Sequence, residues 1–217
     1  MVNIIASYNT KSQQRILLCA HWDSRPRAEK DPDSTKRDLP IIGANDGASG
    51  TAVLLELGRI FKQYQPKIGI DIVLFDGEDY GISGRDDGWF LGSYYFAQNL
   101  GGYRPRAAIL LDMVGDRELG IYREAYSQKY AGDLNDYIWQ IAQEIASPVF
   151  IDSLKHAVAD DHVPLLANGV KAIDLIDFDY TYWHTQEDTP DKCSAASLKA
   201  VADVILAAIF DDRITKF

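Results

Sequence analysis

The distribution of hydrophobic residues alternates between strand-like and helix-like segments along the whole chain. Five apolar runs are predicted to form β-strands: Asn3–Tyr8, Arg15–Ala20, Ile70–Phe75, Ala107–Met113 and Ala172–Ile176. Four segments with apolar residues at helical spacing are predicted to form helices: Ala48–Tyr64, Leu91–Asn99, Asp133–Ala146 and Ala195–Phe210. The later strands are almost continuously apolar, which is typical of strands that are covered on both faces. The sequence therefore predicts an α/β/α sandwich with a mostly parallel, mixed sheet and helices on both faces.

Length and composition narrow the class of protein. The 217 residues, 47% of them hydrophobic, suffice for one core, and with no repeat or linker we expect a single domain over residues 1–217. The net charge of −10 argues against nucleic-acid or anionic-membrane partners, since both require clustered Lys and Arg. No apolar run approaches the ~20 residues of a membrane span. A long polar loop, Asp23–Pro40, follows the second strand, and such loops are often functional.

Polar residues cluster where the predicted strands end. The carboxyl ends of parallel strands meet at one edge of a sheet, which is where sites form in such folds. The segments concerned are His21–Ser24, Gly43–Gly50, Asp76–Asp79, Leu111–Gly115, Asp160–His162 and Tyr182–Thr185. They bring eight carboxylates toward one cleft: Asp23, Asp46, Asp76, Glu78, Asp79, Asp112, Asp160 and Asp161.

So many like charges in one cleft call for a counter-charge, and a divalent cation supplies it. A mixed set of histidines and aspartates suits zinc better than calcium or magnesium, which prefer oxygen ligands alone. Taken singly, Asp46 could simply cap the helix that begins at Ala48, and His21 is better explained as an ordinary buried histidine. Asp112 is harder to explain, because it interrupts an apolar strand and an unpaired buried carboxylate is costly. The joint pattern favours a metal site.

Glu78 and Asp79 follow the third predicted strand as a pair. Adjacent side chains point in different directions, so one carboxylate can bind metal while the other acts as a general acid or base. A solvated acidic turn is the common alternative for such a pair. The apolar run Ile72–Phe75 before it and the intervening Gly77 favour the functional interpretation.

These segments, in this order from Arg15 to the C-terminal helix, resemble the zinc-dependent aminopeptidases with co-catalytic metals, a superfamily that also contains the animal-type glutaminyl cyclases. The aminopeptidase pattern implies one zinc on His21 and Asp112 and a second zinc on Asp79 and His184. Asp46 would bridge the two metals.

The two branches of the superfamily imply different roles for the remaining residues. In the aminopeptidase pattern Asp23 orients His21, and Glu78 is the base that activates a water molecule. The cyclase pattern implies a single zinc, and its ligands would be Asp46, Asp79 and His184. In that pattern Glu78 shuttles a proton, and the acid network and the pocket wall would be formed by Asp112, Asp160 and Trp183.

Two features favour the cyclase branch. The segment Asp160–Leu165 begins with paired aspartates where aminopeptidases usually have one, and Trp183 directly precedes His184. Two features depart from the animal cyclases: Asp79 replaces their usual glutamate, and no tryptophan follows the acidic pair closely. Trp89 and Trp22 are the candidates for that missing aromatic. The pattern is most similar to bacterial members related to the animal-type cyclases.

The sequence thus predicts a zinc-dependent glutaminyl-peptide cyclotransferase, which converts an N-terminal glutamine to pyroglutamate and releases ammonia. The alternative is a zinc aminopeptidase that hydrolyses N-terminal residues with a two-metal site. Either enzyme acts on a peptide or protein N-terminus. A binding domain without activity is disfavoured, because Glu78 and every ligand position are occupied.

The resemblance also implies that the chain lacks a segment that family members carry before the strand at Asn3. We therefore expect apolar surface to be uncovered near the first strands and to promote self-association through that edge. No secretory signal is recognisable in the chain as given, whereas the resemblance suggests a secreted or periplasmic protein.

Overall fold

A central five-stranded sheet organises the protein in this computed structural model, which describes residues 1–217. The seven strands of the chain are β1 (Ile4–Tyr8), β2 (Arg15–His21), β3 (Gly69–Phe75), β4 (Ala107–Asp112), β5 (Ile121–Arg123), β6 (Phe150–Leu154) and β7 (Ala172–Ile176). The central sheet has the order β1-β3-β2-β4-β7; β1 is antiparallel to β3, and the other neighbours are parallel. Strands β5 and β6 form a separate two-stranded sheet. The predicted mixed, mostly parallel sheet is confirmed.

Helices cover both faces of the sheet. They are α1 (Ala48–Gln63), α2 (Leu91–Gln98), α3 (Ala125–Tyr130), α4 (Gly132–Glu144), α5 (His162–Ala167) and α6 (Ala195–Phe210). Along β2, Ile16 and Leu18 join the larger core with residues of α1, α4 and α6, whereas Leu17 and Cys19 join a second core with residues of α2 and α5. Successive strand residues point to opposite faces, so a strand buried on both sides must be apolar throughout. The predicted α/β/α sandwich is confirmed.

Four short elements, β5, β6, α3 and α5, were not predicted. Strand β5 spans three residues and the two helices six each, too few for a periodic pattern to stand out. Strand β6 spans five residues, none of them fully buried, and has no apolar run like those of β1 and β7. The most consequential of them is α5. It begins at His162, where the sequence indicated only a loop, and so the adjacent Asp160 and Asp161 sit at a helix start.

The edge strand β1 leaves apolar side chains exposed. Ile4 and Ile5 are 47% and 56% exposed, and the outer edge of β1 has no neighbouring strand. A groove of about 880 Å³ lies beside β1 and is lined in part by Ile5, Val73 and the α2 residues Tyr95 and Phe96. The expected uncovered apolar surface is thus present, while self-association through it stays a prediction. No helix combines the length and apolarity of a bilayer span.

Candidate metal centre and active site

The carboxyl edge of the sheet assembles the predicted metal ligands. His21 is the last residue of β2 and Asp112 is the last residue of β4. Asp46 lies just before α1, Asp79 lies just after β3, and His184 lies in the loop after β7. All five are buried, with relative exposures of 7% or less. Residues that are far apart in the sequence therefore meet where the strands end, as the topology predicts.

Two histidines face a shared aspartate from opposite sides of its carboxylate. The Nε2 atom of His21 lies 3.2 Å from Asp46 Oδ1 and 3.2 Å from Asp112 Oδ1. The Nε2 atom of His184 lies 3.4 Å from Asp46 Oδ2 and 3.3 Å from Asp79 Oδ1. Each oxygen of Asp46 thus belongs to a different histidine–carboxylate set, which is the arrangement of a bridging ligand.

Two carboxylate oxygens that accept no hydrogen bond from the protein fit a bound cation. Asp46 Oδ2 and Asp79 Oδ2 are buried and accept no hydrogen bond. Leaving a carboxylate oxygen buried and unpaired is costly, and a metal ion removes that cost. The ligand atoms of Asp46, Asp79 and His184 lie within 4.8 Å of one another, and so do those of His21, Asp46 and Asp112. Imidazole nitrogens combined with carboxylate oxygens fit zinc in both sets.

A turn at Gly47 allows these side chains to approach closely. Its φ of 90° lies in the region that favours glycine, and a Cβ there would lie 2.6 Å from the carbonyl oxygen of Asp23 and 2.9 Å from His21 Cε1. Asp188 holds the same turn, because its carboxylate accepts hydrogen bonds from the backbone N–H groups of Asn45 (2.8 Å) and Asp46 (3.2 Å). The sequence analysis missed Asp188, although it lies only four residues after His184.

A cleft of about 430 Å³ opens onto the ligand set of Asp46, Asp79 and His184. Its lining includes the seven residues that the cyclase pattern implies: Asp46, Glu78, Asp79, Asp112, Asp160, Trp183 and His184. Of the eight carboxylates expected to face one cleft, Asp23, Asp76 and Asp161 do not line it. The Trp183 ring packs 4.0 Å from the His184 ring and 5.0 Å from the Phe178 ring, measured between centroids, and so forms an aromatic wall. The structure therefore brings the predicted residues to one place; their individual roles stay predictions.

Burial and mutual repulsion shape the charge of the site. Burial raises the pKa of Glu78 well above its usual range, and the neighbouring Asp79 carboxylate adds to the effect. Burial likewise raises the pKa of Asp160, with Asp112 as the next contribution. For His184, burial lowers the pKa, but hydrogen bonds to Asp79 and Glu29 outweigh it and raise the value to about 9. The raised pKa values of the acids reflect burial and crowding of carboxyl groups, and a divalent cation would favour their ionised forms.

Two acidic residues contact the Nδ1 atoms of the histidine ligands. Asp23, expected to orient His21, lies 3.6 Å from His21 Nδ1, and its carboxylate also accepts hydrogen bonds from Glu78 N and Asp79 N at 3.2 Å each. Glu29, which the sequence analysis missed, lies 2.9 Å from His184 Nδ1. The only signal for it was its place in the long polar loop Asp23–Pro40.

The two tryptophans considered for the missing cyclase aromatic have different surroundings. Trp89 lines the cleft and lies beneath the Arg25 guanidinium, 4.5 Å from its carbon to the ring centroid. Trp22 is 43% exposed, and its indole donates a hydrogen bond to the carbonyl of Val2 away from the cleft lining. Of the two, only Trp89 lines the cleft.

Comparison with known proteins matches residues 3–209 to peptidase family M28. A leucine aminopeptidase precursor from Bacteroides thetaiotaomicron is 40% identical, with a TM-score of 0.94 over 97% of this chain and 76% of its own. A glutaminyl cyclase from the same organism, bound to N-acetylhistamine, is 40% identical, with a TM-score of 0.93 over 97% of this chain and 77% of its own.

A curated relative, aminopeptidase YwaD of Bacillus subtilis, is 27% identical over 97% of this chain, which spans 44% of that protein's length. The resemblance to the zinc exopeptidase superfamily and its bacterial glutaminyl cyclases is confirmed. The chain belongs to peptidase family M28.

Proposed function

We propose that this protein is a zinc-dependent glutaminyl-peptide cyclotransferase. The observation that carries the proposal is the grouping of Glu78, Asp112 and Asp160 in one cleft beside the candidate ligand set of Asp79 and His184. Cyclisation moves one proton from the attacking amine to the departing ammonia, and neighbouring acids beside the shuttling group suit that transfer. The similarity to a glutaminyl cyclase of 40% identity supports it.

Zinc held by Asp46, Asp79 and His184 would act as a Lewis acid on the γ-carbonyl of the N-terminal glutamine. The cleft holds the α-amine of the same residue close to that carbonyl, which favours the intramolecular attack. As the amine nitrogen bonds to the γ-carbonyl carbon, Glu78 takes its proton. The bond from that carbon to the amide nitrogen then breaks, and Glu78 returns the proton to the leaving nitrogen as ammonia.

The walls of the cleft account for the rest of the substrate. Trp183, packed against His184 and Phe178, presents an apolar surface for the methylene groups of the glutamine side chain. Asp160 lines the same cleft as Glu78 and Asp112, and its carboxylate contributes to the raised pKa of Glu78. From the family resemblance we also propose a secreted or periplasmic location.

Two parallel assays test the proposal. Ammonia release from a glutaminyl amide and hydrolysis of a leucyl amide are measured on the same zinc-loaded preparation. We expect ammonia release to dominate, with about one zinc per chain. Leucyl hydrolysis as the main activity, or no glutamine turnover at full zinc occupancy, would overturn the proposal.

The second candidate is a two-metal aminopeptidase. The set of His21, Asp46 and Asp112 favours it, because this set would hold a second zinc with Asp46 as the bridge. The similarity to a leucine aminopeptidase precursor points the same way. Two zinc ions per chain and rapid hydrolysis of the leucyl amide are the results expected for this alternative.

A further inference from the structure

The guanidinium of Arg25 is entirely buried behind the candidate zinc site. Its Nε atom lies 2.9 and 2.8 Å from the two carboxylate oxygens of Glu29, and its Nη1 donates to the backbone carbonyl of Asp79 at 2.8 Å. Nη1 also lies 3.4 Å from Asp79 Oδ1. Its Nη2 lies 2.6 Å from Glu29 Oε1 without forming a hydrogen bond. Separating a buried guanidinium from its carboxylate partners leaves an uncompensated charge, so the arrangement holds Glu29 and Asp79 in place.

Arg25 reaches a second ligand through Glu29. The Glu29 carboxylate lies 2.9 Å from Nδ1 of His184 and accepts a hydrogen bond from it, which leaves Nε2 to face Asp46 and Asp79. A carboxylate on the far nitrogen fixes the tautomer and the ring orientation of a metal-binding histidine. One guanidinium therefore contacts Asp79 directly and His184 through one intermediate.

The same guanidinium also supports the wall of the cleft at Trp89. The ring lies 4.5 Å from the Arg25 carbon, within the range of a cation–π contact. The indole also packs closely on Gly81, where a Cβ would lie 2.3 Å from the ring. Arg27 holds the backbone of that segment, with Nη2 donating to the carbonyls of Tyr80 (3.2 Å) and Gly81 (2.8 Å). The position of Trp89 thus depends on the loop that carries Arg25.

We propose that Arg25 is a positioning residue that couples the orientation of the zinc ligands Asp79 and His184 to the placement of Trp89 in the substrate cleft. The inference deepens the proposed function and rests on its zinc site. A lysine does not substitute for this residue, because only the planar guanidinium directs separate N–H groups to Glu29 and to Asp79 while its face meets an aromatic ring. Among the zinc ligands, Glu29 contacts His184 alone.

The test uses three substitutions and two matched controls. Arg25→Lys, Glu29→Gln and Trp89→Leu are compared with Arg59→Lys and Glu56→Gln, which alter an exposed Arg–Glu pair on α1. Zinc affinity is measured by competition with a chromogenic chelator, KM and kcat with a glutaminyl amide, and folding by circular dichroism and the unfolding midpoint of the zinc-free chain.

We expect Arg25→Lys and Glu29→Gln to weaken zinc binding by about 10- to 100-fold. At saturating zinc, Arg25→Lys and Trp89→Leu raise KM by about 2- to 10-fold, the range expected for losing an aromatic contact. Trp89→Leu keeps the zinc affinity of the unaltered chain, and both controls keep all the values.

Wild-type zinc affinity in Arg25→Lys, or a wild-type KM at saturating zinc, would overturn the inference. If that variant does not fold, the remaining two decide: unchanged zinc affinity in Glu29→Gln or unchanged KM in Trp89→Leu refutes the coupling. Zinc affinity is read without substrate. A chain that binds zinc but does not cyclise glutamine would therefore refute the proposed reaction. The effect of Arg25 on the zinc ligands would still be decided by the zinc affinity of Arg25→Lys.

Discussion

The Glu78 side chain lines the cleft beside the candidate zinc ligands and carries the proton in the proposed reaction. Glutamine in its place has nearly the same shape, and the backbone N–H of residue 78 still donates to Asp23 at 3.2 Å. The substitution therefore removes the exchangeable proton and the charge but keeps the fold. Positioned acid–base catalysis contributes about 10²- to 10⁴-fold, or about 2.7–5.5 kcal/mol of barrier. We expect Glu78→Gln to lower kcat by that factor.

The measurement is ammonia release at saturating glutaminyl amide, with zinc per chain determined on the same sample and Glu56→Gln as the surface control. Zinc content is expected to stay unchanged. A rate within tenfold of the unaltered chain would show that Glu78 does not carry the proton. Loss of zinc together with activity would instead show that Glu78 is a zinc ligand and not a free acid. The geometry allows that role, because the ligand atoms of His21, Glu78 and Asp79 also lie within 4.8 Å of one another.

Three further outcomes are expected. Asp160→Asn lowers kcat about tenfold or more at unchanged zinc content, because Glu78 loses an acidic neighbour; an unchanged kcat contradicts the acid network. Light scattering shows self-association that Ile5→Lys abolishes by placing a charge on the edge strand; a monomeric unaltered chain contradicts this. Burial opposes ionisation of Glu124, but the His162 ring, whose Nε2 lies 3.4 Å away, and hydrogen bonds from backbone N–H groups lower its pKa to about 2. The contribution of ionised Glu124 to the free energy of unfolding is therefore present above about pH 4.3 and is lost as the pH falls toward 2. In urea titrations Glu124→Gln costs up to about 3 kcal/mol at pH 7 and progressively less below pH 4; a pH-independent difference contradicts the assignment.

The long elements were predictable because their apolar residues recur at regular spacing along the sequence. Strand β2 was expected over Arg15–Ala20 and ends one residue later, and α6 begins and ends where the pattern predicted. The ligands were predictable for a related reason: topology alone brings the ends of parallel strands to one edge. The joint pattern of strand ends was therefore enough to place His21 on β2 and Asp112 on β4 in one site.

The supporting residues were not predictable from local pattern. Glu29 and His184 are 155 positions apart, and Arg25 and Asp79 are 54 apart, so neither contact leaves a periodic trace in the sequence. Arg25 and Glu29 lie in a polar loop where charged residues are ordinary. Their importance follows only from burial, which requires the folded chain. The parts of a site set by strand order are thus easier to foresee than those set by loop packing.

Asp112 is where the two proposed reactions differ most. In the aminopeptidase alternative it is a zinc ligand with His21, whereas in the cyclase proposal it is an uncoordinated acid beside Asp160. An amide oxygen is a poor zinc ligand, so Asp112→Asn separates the two roles. For the cyclase we expect unchanged zinc content, near one per chain, and kcat lowered by about 10²-fold through the weakened acid network. For the peptidase, zinc falls from two per chain to one. Because metal content is measured without substrate, a drop of one zinc would contradict the cyclase assignment even if both activities were lost.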